Sequence, residues 1–255
     1  MTICEGFYAH PEYYDILFDW DRSCEIQFID ACFNHYGVDR EAPILEIACG
    51  TGLVAIPLAK RGWDIYCLDF SSEMLDYFIK KESTQSILNQ IHPICADMMD
   101  FKLETKVNAA FCTIGSIGLL DEDKDMIKHL KCMHDNLQKN AVYIIDLGIS
   151  EGETFKSKYE EIIWSNSKNG ITVEAEGGKV YVLEDGEEEK EFEWESIPYE
   201  YNPEHFTSLV QQSQCFKIEA WHQECELNDD GISIFDIEST TEKPKARSML
   251  VLRAI

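Results

Sequence analysis

Ile44-Leu45-Glu46-Ile47-Ala48-Cys49-Gly50-Thr51-Gly52, followed by Asp69 seventeen residues past its last glycine, is the stretch that decides the fold. An apolar run enters a tight Gly-Thr-Gly turn. A helical pattern over Val54–Arg61 leaves it, with Pro57 in the first turn, where proline is tolerated, and Gly62 as the stop. A second apolar run, Asp64–Leu68, then ends in an acid. Strand, turn, helix, strand and carboxylate in this order form a nucleoside-binding frame, with the acid placed for a ribose.

The alternation continues downstream. Ser71 or Ser72 can cap a helix with Glu73 in its first turn and Met74, Leu75, Phe78 and Ile79 on one face. Ile91–Cys95 and Val107–Ile114 read as strands three and four. Asp121 reads as the cap of a helix whose apolar face is Met126, Ile127, Leu130, Met133 and Leu137. Asn140 reads as its left-handed stop, and Val142–Leu147 as strand five. Five strands alternating with helices predict a parallel sheet covered on both faces.

Upstream, residues 12–37 read as one helix, ended by Arg40-Glu41-Ala42-Pro43. The texture changes near Glu151. Ile162–Trp164, Ile171–Ala175, Val180–Leu183 and the alternation through Phe192, Trp194 and Ile197 predict an antiparallel meander, with Asp185-Gly186 as a hairpin signal. Asn202-Pro203-Glu204 starts a last helix, and Phe216–Trp221 and Ser248–Ala254 are two more strands. The expected organisation has three parts. Residues 1–150 hold the first helix and the ligand-binding part of the sheet, 151–200 a small β insert acting as lid or substrate lobe, and 201–255 the helix and strands that complete the sheet.

The formal net charge of −26 over 255 residues argues against nucleic acid as a partner, because a phosphate backbone would be repelled. No apolar run reaches the ~18 residues of a membrane span. The ten cysteines include no Cys-x-x-Cys, and no signal-like segment opens the chain, so free thiols in a reducing cytoplasm are expected. Asp146 lacks a matching second and third ligand, so no metal is expected. The alternation Glu191-Phe192-Glu193-Trp194-Glu195 reads as a strand with one wet face.

The turn lacks the third glycine of a dinucleotide fingerprint; Ala55 stands in its place, and no Walker lysine follows. The run resembles the first motif of class I S-adenosylmethionine-dependent methyltransferases, whose cofactor has no pyrophosphate to cradle. Asp69-Phe70-Ser71-Ser72-Glu73-Met74-Leu75 and Asp97-Met98-Met99-Asp100-Phe101 resemble the two motifs that follow in that class. Within it, Tyr14-Asp15-Ile16-Leu17-Phe18, Gly115-Ser116-Ile117-Gly118 and the insert entry at Glu153-Thr154-Phe155 and Trp164 resemble small-molecule N-methyltransferases. These are the dTDP-amino-sugar N,N-dimethyltransferases and, more distantly, the glycine/sarcosine methyltransferases. Lys139-Asn140-Ala141 departs from that branch's Pro-Gly-Gly.

The resemblance implies a Rossmann-like seven-stranded α/β sheet and S-adenosyl-L-methionine as cofactor. Glu46 would take the methionine ammonium, directly or through water. Ala48, Cys49, Gly50 and Gly52 would line the tail and ribose, and Asp69 and Phe70 would follow at the ribose. Met74 would pack on adenine, Asp97 would accept its amine, and the Met98 backbone would read the ring edge. Thr113 and Ser116 lie at the mouth after strand four, where the methyl should point. Tyr14 is the first candidate to position the methyl or amine, with Tyr13 its competitor. The expected reaction is methyl transfer to a small molecule, at an amine nitrogen. O-methylation and a non-catalytic cofactor-binding module are the alternatives.

Overall fold

A computed structural model describes residues 6–152, 155–156, 164–194, 199–223, 237–245 and 247–255. In chain order the first elements are α1 (Pro11–Leu17), α2 (Ser23–His35), β1 (Ile44–Ile47), α3 (Ala55–Lys60), β2 (Ile65–Asp69), α4 (Ser72–Lys80) and α5 (Glu82–Gln85). Then come β3 (Ile91–Cys95), β4 (Val107–Cys112), α6 (Asp123–Asn136) and β5 (Leu137–Leu147). β6 (Phe155–Lys156), β7 (Trp164–Lys168), β8 (Ile171–Glu176), β9 (Lys179–Glu184), β10 (Lys190–Glu193) and β11 (Tyr199–Glu200) follow. α7 (Pro203–Ser213), β12 (Phe216–Gln223) and β13 (Ser248–Ala254) end the chain.

Seven strands form one sheet in the order β12-β13-β5-β4-β1-β2-β3. β3, β2, β1, β4 and β5 pair in parallel, and β13 runs antiparallel to both neighbours. The strand order reverses between β1 and β4, which opens a crevice at their carboxyl ends. Each sheet face carries its own core. Phe33, Leu58, Trp63 and Phe78 pack on one face, and Met126, Leu130, Phe206 and Leu209 on the other.

A third core joins α1 to the four-stranded insert β10-β9-β8-β7. There Leu17 and Phe18 pack with Val173, Val180, Val182 and Trp194. Polar clasps reinforce it: Tyr13 donates to Glu184 at 2.5 Å, and Lys168 reaches Asp19 at 2.7 Å. The alternation over residues 191–194 holds, with Glu191 and Glu193 exposed and Phe192 and Trp194 turned inward, while Glu195 lies outside the described residues; in β8 and β9 Val173, Ala175, Val180 and Val182 turn inward too. Ile162 and Ile197, which belonged to the predicted meander, lie outside the described residues.

Three local readings are corrected. The single helix over 12–37 is two, because Asp21 accepts the Ser23 amide at 2.9 Å and its hydroxyl at 3.0 Å, an Asx turn that starts a new helix. Asp121 does not cap α6, which starts at Asp123 with Glu122 in the capping position and no side-chain cap bond. Asn140 is left-handed, at φ +64°, but inside β5 rather than at a helix end. It absorbs a register shift between the Val107–Leu137 and Ala109–Val142 pairs. Ser71 and Asn202 do cap α4 and α7.

Candidate active site

A cavity of about 470 Å³ opens where the carboxyl ends of the parallel strands face α1 and the insert. Its floor is the turn after β1. Ala48 is left-handed at φ +53°, an uncommon state for a residue with a Cβ, and it lines the cavity beside Gly50 at φ +52°. A Cβ on Gly50 would stand 3.7 Å from the Tyr14 ring, so the backbone angle, not crowding, calls for glycine there.

Gly52 has a different reason. A Cβ there would fall 2.3 Å from the Phe78 ring of α4, so this glycine lets the helix close on the turn and does not line the cavity. Cys49 also leaves the wall: its buried side chain joins the core beside Cys67, and burial pushes its thiol well up. Both placements follow from a turn that alternates between facing the cavity and facing the helices behind it.

Asp69 stands at the end of β2 on the wall. Its Oδ2 accepts the Gly50 amide at 2.7 Å and its Oδ1 the Ser71 amide at 2.9 Å. Burial raises its pKa, and those amide donors oppose the rise. Phe70, 52% exposed, and the buried Met74 flank it on the wall. An aromatic half open beside a carboxylate is a docking surface for a flat ring.

Glu46 lies beneath the turn, 2% exposed and off the cavity wall. Burial, reinforced by the charge of Asp69, holds its carboxyl well above the ordinary range. Its Oε2 has no hydrogen-bond partner among the described residues.

After β3, Ala96 and Met98 face the cavity, but Asp97 does not: its Oδ1 accepts the Met99 amide at 2.7 Å and turns the chain. The Met98 carbonyl is held from behind by His129 Nδ1–H at 2.8 Å, while His129 Nε2 accepts from the Tyr143 hydroxyl at 2.8 Å. His129 is therefore a fully buried support for this loop, which fixes its tautomer. After β4, Thr113 is buried off the wall, and Ile114, Gly115 and Ser116 line it instead.

Tyr14 lines the cavity and Tyr13 does not, since the Tyr13 hydroxyl is engaged with Glu184 and Lys190 of the insert. Burial raises the Tyr14 phenol far beyond its ordinary value, so it is a neutral donor.

Several wall residues carry no motif in the sequence. Arg22 sat inside what read as one helix; the break before α2 turns it into the cavity. It is 5% exposed, donates to the Phe18 carbonyl at 3.1 Å, lies 4.3 Å over the Trp20 ring, and leaves its Nε without a partner among the described residues. Arg247, just before β13, makes a two-point contact with Asp146 at 2.9 and 2.7 Å and reaches Glu25 at 2.9 Å. Burial opposes its charge, but the two carboxylates outweigh burial and hold the guanidinium above its ordinary range. Asp146 Oδ2 also accepts the amide of Ile114 at 2.9 Å. Ile114 is β-branched yet left-handed at φ +60°, so this bond holds a strained residue on the wall. The signal that existed was a carboxylate at the end of strand five; its partners are far away in sequence.

Residues 44–140 match the family model described as a methyltransferase domain. The chain is 29% identical over 163 residues to a glycine/sarcosine N-methyltransferase of Aphanothece halophytica, covering 61% of this chain and 58% of that protein. It is 26% identical over 103 residues to a dTDP-3-amino-3,4,6-trideoxy-alpha-D-glucopyranose N,N-dimethyltransferase of Streptomyces venezuelae, covering 40% of this chain and 41% of that one. The matches thus span about half the length of these curated relatives. A crystal structure of an S-adenosylmethionine-dependent methyltransferase from Clostridium acetobutylicum superposes with a TM-score of 0.71, at 20% identity, over 95% of this chain and 96% of the other. Residues 44–140 are therefore a methyltransferase domain, and the chain around them carries the fold of the class I S-adenosylmethionine-dependent methyltransferases.

Proposed function

We propose that the cavity binds S-adenosylmethionine and that the protein transfers its methyl group to a small-molecule acceptor, at an amine nitrogen. The observation that carries this reading is one continuous wall in strand order: the left-handed backbone at Ala48 and Gly50, then Asp69 with Phe70 and Met74, then Met98. A ribose fits against Asp69, which keeps lone pairs beyond its two amide bonds, and adenine fits between Phe70, Met74 and Met98. The amino-acid tail would lie over Ala48 and Gly50. Its carboxylate has a partner in the Arg22 guanidinium, whose Nε is otherwise unsatisfied, and its ammonium has one through water in the orphaned Glu46 Oε2. Few polar groups on the wall suit a cofactor without a pyrophosphate.

When bound, the cofactor supplies an electrophilic sulfonium methyl; the protein supplies alignment and a dry cavity. Tyr14 lies over Gly50 as a neutral phenol, suited to positioning and not to accepting a proton. Ser116 and Ile114 leave the mouth after β4 open to the acceptor. An amine attacks as the free base, having lost its proton to water beforehand, so a strong protein base is not required. Both named relatives methylate nitrogen, which supports the amine over oxygen.

Isothermal titration with S-adenosylmethionine, alongside turnover on a panel of amines and alcohols, tests the reading. Binding with N-methylated product is expected. Tight binding without any product would favour a cofactor-binding module, and absence of binding would remove the site assignment. Tyr14→Phe should lower turnover with cofactor binding intact.

A further inference from the structure

The part of the wall contributed by α1, the turn after it and the insert is aromatic. Ring centroids stand 4.4 Å apart for Tyr14–Phe18, 5.1 Å for Phe18–Trp20, 5.8 Å for Phe18–Trp164 and 5.4 Å for Trp164–Trp194. The Trp194 indole N–H donates to the Tyr8 hydroxyl at 3.0 Å, which fixes the outer rings relative to each other. All of these rings face the cavity. Such a wall favours an apolar body with flat or methylene surfaces.

Charge at this end is already matched. Among the described residues, Arg22 and Arg247 are the cations on the wall. Arg22 lies where the cofactor's carboxylate would sit. Arg247 is engaged by Asp146 through two hydrogen bonds and by Glu25 through a third, so one guanidinium faces two carboxylates. A phosphate or carboxylate on the acceptor would have to displace one of those carboxylates from a nearly dry site, or lie beside it as a like charge. The field of a chain at −26 adds to the same bias.

We propose that the acceptor is a hydrophobic amine, aryl or alkyl in body and without phosphate or carboxylate, held by Phe18, Trp20, Trp164 and Trp194. This rests on reading the same cavity as the S-adenosylmethionine site. Arg247 acts through its partners: it holds Asp146 and, through Asp146, the strained Ile114 at the mouth, and does not serve as an anion receptor.

The test is titration of the protein saturated with S-adenosylhomocysteine, using phenethylamine and L-phenylalanine, which share a body and differ by one carboxylate. Phenethylamine is expected to bind about tenfold or more tightly than phenylalanine. Trp164→Ala should weaken phenethylamine about tenfold while S-adenosylhomocysteine affinity stays within about twofold; the milder Trp164→Leu replaces it if that variant loses its cooperative melt. Glu25→Gln should narrow the gap between the probes, because the Arg247 cluster then loses its net negative charge and repels a carboxylate less. Equal or tighter binding of phenylalanine, no binding of phenethylamine, or indifference of phenethylamine to the tryptophan substitutions overturns the acceptor class. Failure of S-adenosylhomocysteine to bind overturns the cofactor reading beneath it, and the titration with that compound alone separates the two.

Discussion

Asp69 carries two tasks at one position. Its carboxylate holds the amides of Gly50 and Ser71, which fixes the turn after β1 and the entry to α4, and it faces the cavity. Asp69→Ala should therefore weaken S-adenosylmethionine binding and also cost about 1–3 kcal/mol of stability, because two amides lose their acceptor. Asp69→Asn keeps a carbonyl oxygen for one amide, so it should melt closer to the wild type and still lose affinity. Calorimetric binding and thermal melts on both variants check this; unchanged affinity in folded Asp69→Ala would sink the assignment. His129 gives a pH signature. Burial lowers its pKa to about 4 against an ordinary 6.5. Above pH 6.5 it is neutral in both folded and unfolded chains. As pH falls from 6.5 towards 4 the unfolded chain takes up the proton and the folded one does not, so stability is lost across that window, up to about 3 kcal/mol. His129→Gln should melt with a shallower acid slope between pH 7 and 4.5. Identical slopes in the two proteins would contradict this account.

At the scale of elements, the decisive joint is between α1 and the turn after β1. Asp15, beside Tyr14 on α1, accepts the Thr51 hydroxyl, and Lys81 at the end of α4 reaches Asp15 at 2.5 Å and the Thr51 carbonyl at 2.9 Å. The Lys81 and Asp15 side chains are 15% and 18% exposed. This latch places the Tyr14 ring over Gly50. Lys81→Met leaves Asp15 buried without its cation, at a cost of about 3–5 kcal/mol. It should also raise the KM for S-adenosylmethionine, because α1 loses its anchor. Asp15→Asn combined with Lys81→Met should recover much of the stability, measured by denaturant unfolding; additive losses would mean that the two side chains act independently. The same reasoning explains why a helix spacing misled at residues 12–37. Apolar residues recur through the break, but the Asp21–Ser23 turn interrupts the backbone, and that interruption delivers Arg22 to the cavity.

At the scale of the molecule, the cavity is the seam between three cores. Two lie on the faces of the sheet and belong to its helices. The third joins α1 to the insert and roofs the carboxyl edge of the strands. A ligand that contacts both sides of a seam stabilises the assembled form alone. Saturating the protein with S-adenosylmethionine at about 100 times its Kd should raise unfolding free energy by about 2.7 kcal/mol, read as a shift in Tm. No shift at concentrations that saturate calorimetric binding would show that the unfolded chain binds equally. Among the described residues no helix is long and apolar enough to cross a membrane, and the buried Cys32, Cys49, Cys67, Cys112 and Cys215 are free thiols.

What the sequence determined by itself is local in kind. Period and punctuation between Ile44 and Leu147 specify most strands, helices and their order, because a buried parallel strand must be an apolar run and most crossovers carry a helix; the link from β3 to β4 carries none. The positions of Gly50 and Asp69 could be read for the same reason: a left-handed turn and a strand-end acid are visible as residue types at fixed spacing. The tertiary structure alone decided which way each side chain faces at a turn, sending Gly52 to Phe78 and Cys49 to the core while Ala48 and Gly50 stayed on the wall. It alone brought Arg22, Glu25, Asp146 and Arg247 together across more than 200 residues of chain, since Glu25 and Arg247 are 222 positions apart. No spacing rule reaches that far. The contact exists because β13 inserts beside β5, and packing sets that adjacency, not any neighbouring residue.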